Sequence, residues 1–186
     1  MTGSIEKLVD NYNIKINYKA HPLRKDIPDE GMSLEEYMGG RMLDLEQIKL
    51  NFKKMATDNG LPASDLSIIS NSRYAHELAV WAEEKGKGDI FHRETYLAYF
   101  GEGKNIADIE VLKQLATKSG LSSNEAEKVI LTRKYRDHID RNWDESEKRE
   151  LVAAPTFFIG EERLVGAHPY ERLLRFITDN GAVKRI

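Results

Sequence analysis

Apolar residues recur every three or four positions through most of the chain, and this spacing predicts a protein built largely of α-helices. The first helix is expected from Ser4 to Tyr12, and the pattern is almost continuous from Ser33 to about Trp143. In that long block the expected helical stretches are Ser33 to Gly39-Gly40, Met42 to Met55 (ending before Gly60), Ser70 to Lys87, Phe91 to Phe100, Asp108 to Ser119, and one long helix that begins at Ser122 and runs through Ala126, Val129, Ile130 and Ile139.

Two of these helices begin with the spacing of a capping box, in which a serine and a glutamate three residues later bond each other's backbone. The pairs are Ser33 with Glu36 and Ser122 with Glu125. Apolar residues at helical spacing in the first part of the block are Met42, Leu45, Ile48, Phe52 and Met55. The residues predicted to face inward in the later helices are Ala75, Leu78, Ala79 and Ala82, then Ile109, Leu112, Leu115 and Ala116.

A period of two appears in two other places. Asn13 to Ala20 alternates, with Ile14, Ile16 and Tyr18 on one side, and this predicts a strand with one covered face. Thr156 to Ile159 and Arg163 to Val165 are short runs separated by Gly160-Glu161-Glu162, which predicts a β-hairpin. A last helix is expected from Pro169 to Asn180, with Leu173, Leu174 and Ile177 inward and Gly181 at its C-cap.

Composition changes this picture little. A chain of 186 residues suits one domain, or one domain with a sizeable insertion. The net charge is −3, and lysine and arginine are scattered among acidic residues, so no nucleic-acid partner is expected. No apolar run approaches the ~20 residues that span a bilayer, and Met1 to Asp10 lacks a signal-peptide core; a cytoplasmic location without membrane contact is therefore expected.

The chain has no cysteine, which excludes disulfides, thiolate metal sites and thiol nucleophiles within this sequence. No metal site is predicted, because the five histidines are far apart and show no ligand spacing; they are His21, His76, His92, His138 and His168. No glycine-rich phosphate loop follows a predicted strand, and no cofactor is expected. Trp81 and Trp143 are interpreted as core aromatics.

Several stretches, in order along the chain, resemble the DsbA-like thioredoxin-fold oxidoreductases, and specifically the FrnE-like branch of disulfide isomerases. The kappa-class glutathione transferases and the 2-hydroxychromene-2-carboxylate isomerases share that architecture. The stretches are Ser70-Asn71-Ser72-Arg73-Tyr74-Ala75-His76, the segment from Tyr96 to Asp108, Ala154-Pro155-Thr156-Phe157, and Gly166-Ala167-His168-Pro169.

The resemblance implies an α/β, thioredoxin-like (DsbA-like) fold with a large all-helical insertion and with the first strand missing. Residues 1–32 and 144–186 would form an incomplete thioredoxin-like domain, and residues 33–143 the helical insertion domain. The missing strand is internal in the family's sheet, so its slot is expected to be filled by a rearranged strand or by a partner chain, as in a homodimer.

The resemblance also implies where a substrate binds. Ala154, Pro155 and Thr156 match the family's proline loop, and Pro155 is expected to follow a cis peptide bond. In the family this loop presents the backbone of the residue before the proline to an extended peptide or protein substrate. No catalytic residue is assigned, because the family's Cys-Pro-x-Cys-Tyr motif has no counterpart in this sequence.

The likeness places Ile5 to Val9 inside the helix that follows that motif, so Met1 falls just after the expected cysteines. One hypothesis is that the first catalytic residue is a selenocysteine, whose UGA codon is read as a stop, so that the next available start codon gives Met1. An ordinary mis-annotated start and a real truncation are the alternatives, and the DNA upstream of Met1, with an in-frame cysteine or UGA codon, would separate them.

Three functions remain open at this point. The first is a DsbA/FrnE-type thiol–disulfide oxidoreductase whose redox-active segment is absent from this chain, which would then be inactive as it stands. The second is a redox-dead module that binds peptides or proteins on the same fold. The third is a glutathione-dependent enzyme like the kappa-class transferases or the 2-hydroxychromene-2-carboxylate isomerases, with glutathione binding near Ala154 and Pro155.

Overall fold

The computed structural model of the chain describes residues 2–22, 24–39, 44–58, 60–65 and 67–185. The chain divides into two compact units. One comprises Met1–Leu23 with Asn142–Ile186, and we call it the hairpin unit; the other is Arg24–Arg141, the helical unit. The independent domains expected at 1–32 with 144–186 and at 33–143 stay predictions.

In its described residues, the helical unit consists mainly of helices, as the apolar spacing predicts. Most helix ends lie within about three residues of the expected positions, which is the usual uncertainty of a boundary read from sequence. The helices are α2 (Leu34–Met38), α3 (Leu45–Asp58), α4 (Arg73–Glu84), α5 (Gly88–Tyr96), α6 (Ile109–Lys118), α7 (Ser123–Thr132) and α8 (Arg136–Lys148), the last of which continues past residue 141; a π-helical turn, Leu97–Gly101, follows α5.

Side-chain caps explain where several helices begin. The capping box of α2 is complete, since Ser33 Oγ accepts from the Glu36 N–H at 3.1 Å and Glu36 Oε2 accepts from the Ser33 N–H at 2.8 Å. Helix α2 ends at Gly39, whose φ is 62°. Ser122 Oγ accepts from the Glu125 N–H at 3.3 Å and caps α7. Gly40 and Met42, also placed in helical stretches from the sequence, lie outside the described residues.

The core of the helical unit is formed by α4, α5, α6 and α7. Leu78, Phe91 and Leu112 have no exposed surface, and Leu115 is 1% exposed. Trp81 belongs to the same cluster, which confirms its interpretation as a core aromatic. Among the described residues of the whole chain, no helix is both long and apolar enough to cross a lipid bilayer.

The single long helix predicted from Ser122 through Ile139 is wrong. Helix α7 ends at Arg133, which adopts a left-handed conformation with φ 52°, and α8 begins at Arg136. The break places the Arg133 guanidinium on Glu77, with Nη2 2.7 Å from Oε1 and Nε 3.1 Å from Oε2. Because Glu77 is fully buried, this pairing favours the break over a continuous helix.

The helix expected at Phe91 to Phe100 also differs from the structure. It begins earlier, at Gly88, and after Tyr96 it widens into the π-helical turn. In this turn Phe100 contacts three other rings, with centroid distances of 4.7 Å to Tyr99, 5.8 Å to Tyr96 and 5.8 Å to Phe52 of α3. Packing of this kind is a tertiary effect, and the local spacing of apolar residues does not report it.

The hairpin unit contains helix α1 (Thr2–Asn11), strands β1 (Thr156–Ile159) and β2 (Glu162–Val165), and helix α9 (Tyr170–Asp179). The strands are antiparallel, and Thr156 pairs with Val165 while Ile159 pairs with Glu162. Glu162 therefore belongs to β2, and the turn predicted over residues 160–162 is shortened to Gly160 and Glu161, with φ 59° at Gly160.

One face of the hairpin packs on the helices of its unit. Phe157 and Ile159 of β1 and the buried Leu164 of β2 belong to the same cluster as Leu8 of α1 and Leu173 of α9. Successive side chains of a strand alternate between the two faces of the sheet, so residues two positions apart, such as Phe157 and Ile159, lie on the same face. Thr156 and Phe158 consequently lie on the opposite face.

The strand predicted at Asn13 to Ala20 is wrong. These residues form no strand in the structure, and only a single bridge precedes them, between Tyr12 and Lys184. Ile14 and Ile16 are half-buried, as the alternation requires, but Tyr18 is 45% exposed. An alternating pattern of apolar and polar side chains requires only that one side of the segment is covered. A β-strand also requires a neighbouring strand with which its backbone forms hydrogen bonds. The filling of the expected slot by a rearranged strand or a partner chain stays a prediction.

Candidate functional site

The loop between α8 and β1 holds the three residues that the sequence assigns to substrate binding. Thr156 Oγ1 donates to the Ala153 carbonyl at 2.7 Å, which closes the loop on itself. The Pro155 carbonyl accepts from the Gly166 N–H at 2.8 Å, which ties the loop to the end of β2. The Ala154–Pro155 peptide bond is cis. Ala154, Pro155 and Thr156 are thus held in one position at the start of β1.

The outer edge of β1 presents backbone groups. A two-residue turn makes Ile159 and Glu162 a hydrogen-bonded pair, and the bond from Gly166 to Pro155 continues the same alternation at the other end. Thr156 and Phe158 therefore direct their N–H and C=O groups away from β2. In the part of the chain that the structure describes, no further strand pairs with this edge.

The loop beside this edge is also accessible. Val152 is 85% exposed, and Ala154 is exposed as well. Ala154 makes no hydrogen bond, through either its N–H or its carbonyl, to any other residue that the structure describes. An accessible backbone with unused donors and acceptors can bind another extended chain.

The outer face of the hairpin is basic. The Arg149 guanidinium lies over the Phe158 ring, 4.8 Å from its centroid. Arg163 is exposed and pairs with Phe158 across the two strands. Among the described residues, Arg163 forms no ion pair. Phe158 thus lies between two arginines, one of which covers its ring.

Glu145 fixes the position of Arg149. Glu145 Oε1 lies 3.4 Å from Arg149 Nε, and the other carboxylate oxygen accepts a hydrogen bond from the Lys19 ammonium. The bond from Lys19 is the main cause that lowers the pKa of Glu145, and Arg149 adds to it. One carboxylate therefore serves two cations, and a net positive charge remains beside Phe158.

Sequence reasoning missed Arg149, Phe158 and Val152 as parts of this surface. The spacing of Glu145 and Arg149, four residues apart in a predicted helix, was an available signal for the ion pair. No comparable signal in the sequence predicts that Arg149 lies over β1, because its position depends on where α8 ends. His168 lies at the same end of the hairpin, with Nε2 2.8 Å from the Val165 carbonyl oxygen.

The described residues contain no group of three or more histidine, cysteine, aspartate or glutamate side chains placed to hold a metal ion. What this arrangement can do is bind an extended chain by edge pairing and favour negative charge next to Phe158.

Comparison with known proteins identifies the family. Residues 1–178 match the DSBA-like thioredoxin domain, and the chain belongs to that family. The expected α/β, DsbA-like thioredoxin fold with a large helical part is thereby confirmed, with a small two-stranded sheet in the described structure.

The individual proteins to which the chain is similar share limited sequence identity with it. The chain is 31% identical over 100 residues to "Uncharacterized protein YwbO" of Bacillus subtilis (strain 168), a match that covers 53% of this chain and about half, 50%, of that protein. A crystal structure of a probable DsbA oxidoreductase from Streptomyces coelicolor superimposes with a TM-score of 0.83 at 18% identity, and covers 95% of this chain and 81% of the other. A 2-hydroxychromene-2-carboxylate isomerase gives 0.67 at 19% identity, with coverage of 97% and 86%. At such identities, the two structures show the fold alone.

Proposed function

We propose that this chain is the substrate-binding part of a thiol–disulfide oxidoreductase of the DsbA/FrnE type, and that it binds an extended peptide or protein segment. The observation that carries the proposal is the backbone of Ala154, which is exposed and whose N–H and carbonyl make no hydrogen bond to any other residue that the structure describes. Membership of the DSBA-like thioredoxin domain family supports it.

The fixed loop favours such binding. A peptide that lies along this loop can form backbone hydrogen bonds with the N–H and the carbonyl of Ala154. Because two hydrogen bonds already hold residues 153–156 in place, little backbone entropy of this loop is lost on binding. The peptide's own entropy is then the main ordering cost.

Thiol–disulfide exchange itself requires a thiolate that attacks one sulfur of a disulfide, while the other sulfur leaves as a thiolate. No residue of this sequence supplies a thiol. In the proposal, the attacking thiolate belongs to residues outside this sequence, and the chain by itself does not catalyse exchange. Its own residues bind the substrate segment next to Pro155 and orient it.

Insulin reduction by dithiothreitol tests the proposal. The chain as given is expected to show no rate above the uncatalysed reaction. The same chain preceded by a strand and a Cys-Pro-x-Cys segment is expected to accelerate the reaction, and a Ser-Pro-x-Ser version is the matched control. An inactive cysteine version that retains the circular dichroism spectrum of a folded protein and binds no peptide would contradict the proposal.

The second candidate is a module that binds peptides without redox chemistry, and it is favoured by the same accessible backbone at Ala154 in a sequence without cysteine. The two candidates differ in one result. If the cysteine version binds peptides but reduces no insulin, the binding module is the better description. Glutathione at millimolar concentration is a third probe: shifts of the Ala154 and Thr156 amide signals would favour a glutathione-dependent enzyme instead.

A further inference from the structure

A pocket of about 250 Å³ lies between α4 and α7 in the helical unit. Its volume is just below the range of about 300–1,000 Å³ that is usual for ligand sites, so it suits a small molecule. Each helix contributes residues one turn apart, which share one face of that helix. They are Trp81 with Lys85 at the end of α4, and Glu125 with Val129 on α7.

The floor of this pocket is apolar. Trp81 and Val129 are buried and belong to the core of the helical unit. The indole N–H of Trp81 makes no hydrogen bond to any residue that the structure describes, although a buried indole usually has such a partner. A ligand that covers the floor therefore buries apolar surface, and the indole has an unused N–H donor.

The rim of the pocket is charged, with an excess of lysine. Of the described residues, three lysines and two glutamates line it, which gives a net charge of +1. Lys85 Nζ lies 3.4 Å from Glu125 Oε2, and Lys134 Nζ lies 3.9 Å from Glu84 Oε2. Both distances are long for a charge-assisted hydrogen bond. The Glu84 carboxylate also accepts a hydrogen bond from the Tyr135 hydroxyl.

Lys128 is the third lysine of the rim. It is exposed and forms no ion pair with any residue that the structure describes. It lies on the same face of α7 as Val129 and Glu125, from which it is one and three residues away. An ammonium group beside buried apolar surface pairs with an anion more strongly than one in open solvent, because the effective dielectric constant is lower there.

We propose that this pocket binds a small carboxylate with an apolar body. The carboxylate accepts from the Lys128 ammonium, and the apolar body covers Trp81 and Val129. The excess positive charge of the rim disfavours a cation, and a neutral apolar molecule would leave Lys128 without a partner. The site goes beyond the proposed function, since none of its described lining residues belongs to the loop that holds Ala154.

Three probes test the ligand class. They are benzoate, benzamide, which has nearly the same shape without the charge, and acetate, which has the charge without the ring. Each is titrated into the isotope-labelled chain while the Trp81 indole signal and the Lys128 and Val129 amide signals are followed by NMR. Benzoate is expected to bind at least about threefold more tightly than benzamide, as for one partly exposed ion pair. It should also bind more tightly than acetate, which buries little apolar surface.

Variants assign the preference to one residue. Lys128→Gln leaves two lysines and two glutamates on the rim, so benzoate and benzamide should bind this variant about equally. Lys54→Gln is the matched control: it removes an exposed lysine of α3 that does not line the pocket, and it should keep the wild-type preference. Because both lysines are exposed, both variants are expected to fold.

The possible results separate the parts of the inference. If no probe shifts the Trp81 indole signal, the pocket is not a binding site. Equal affinities of the wild-type chain for benzoate and benzamide would overturn the carboxylate class. A preference that survives in Lys128→Gln would overturn the role of Lys128. None of these results depends on peptide binding at Ala154, so the proposed function is decided by its own experiment.

Discussion

Glu77 is an acidic side chain with no exposed surface in the helical unit. Its carboxylate accepts from Arg73 Nε at 2.8 Å and from both Nη2 and Nε of Arg133. Arg73 also bonds the carbonyl of Arg136, at 2.9 Å, so the cluster joins α4 to the start of α8. A buried carboxylate is tolerated only with such partners, and the partners in turn depend on it.

We therefore expect Glu77→Gln to destabilise the protein by about 3 kcal/mol, because it leaves the Arg133 guanidinium without its bonded carboxylate and leaves Arg73 with Asp140 as its ion-pair partner. Urea unfolding followed by circular dichroism measures the change. Glu83→Gln, on the same helix but exposed, is the control and should stay within about 0.5 kcal/mol of wild type. Similar losses in both variants would mean that the Glu77 cluster contributes nothing specific.

The way in which the Lys19–Glu145 ion pair contributes to stability at different pH follows from the direction in which the pKa of Glu145 is shifted. The pKa of Glu145 is lowered in the folded chain, chiefly by the hydrogen bond from Lys19, so the pair stabilises the fold above the ordinary glutamate pKa of about 4.3. That contribution is lost as pH falls through the lower, folded-state value.

We expect Glu145→Gln to be less stable than wild type at pH 7, by less than about 1 kcal/mol, since both side chains are partly exposed. The difference should shrink as the pH is lowered from 7 and should vanish below the folded-state pKa of Glu145, where the carboxyl is protonated in wild type too. Thermal unfolding of both proteins in a series of buffers of decreasing pH measures it. A difference that does not change along the series would show that the pair's charge is not its cause.

At the scale of elements, side-chain caps differ between helices that otherwise look alike. Asp108 caps α6, and its Oδ1 accepts from the Glu110 N–H at 2.8 Å and the Val111 N–H at 3.4 Å. Ser72 stands at the corresponding position of α4, and its side chain makes no capping bond. Sequence alone ranks both residues as good caps.

Replacement by alanine should separate them. Asp108→Ala is expected to lower the free energy of unfolding by about 1 kcal/mol, the usual cost of a lost N-cap, whereas Ser72→Ala should change it by less than about 0.5 kcal/mol. Denaturant midpoints of the two variants measure this. An equal loss at Ser72 would mean that its hydroxyl caps α4 in solution.

The helices and turns that could be predicted from the sequence are those determined by contacts between residues close together in the chain. The Ser33–Glu36 box and the αL residue Gly39 determine α2 by contacts within seven residues, and both could be predicted from the spacing. The break at Arg133 and the absence of a strand at Asn13–Ala20 depend on distant groups: a buried carboxylate 56 positions away in one case, and a missing neighbour strand in the other.

The same distinction applies to the candidate site. Ala154, Pro155 and Thr156 are contiguous and could be predicted from one motif. Arg149 belongs to the surface only because α8 ends where it does and its side chain folds back onto Phe158. Residues that act through such placement have no signature in a single sequence.

At the scale of the whole molecule, the two units differ in the size of their cores. The fully buried residues Leu78, Phe91 and Leu112 belong to a large cluster in the helical unit. The buried cluster of the hairpin unit is smaller and contains Leu164, which is 9% exposed. A smaller core allows opening at lower free energy.

We expect amide hydrogen exchange to report this difference. The Leu115 amide in α6 should exchange at least about tenfold more slowly than the Leu164 amide in β2, which corresponds to about 1.4 kcal/mol. Exchange followed by NMR at neutral pH measures both amides in one sample. Equal protection at the two sites would mean that the units open together as one cooperative structure.

The open backbone edge of β1 has a consequence for assembly. Its residues, Thr156 to Ile159, include no charge, so nothing in their side chains would repel a second copy in two-fold edge-to-edge pairing. Strand β2, at the other side of the hairpin, begins with the charged Glu162 and Arg163, which oppose further strand addition. If two copies pair through the β1 edge, growth would stop at that pair, because the charged start of β2 disfavours a filament.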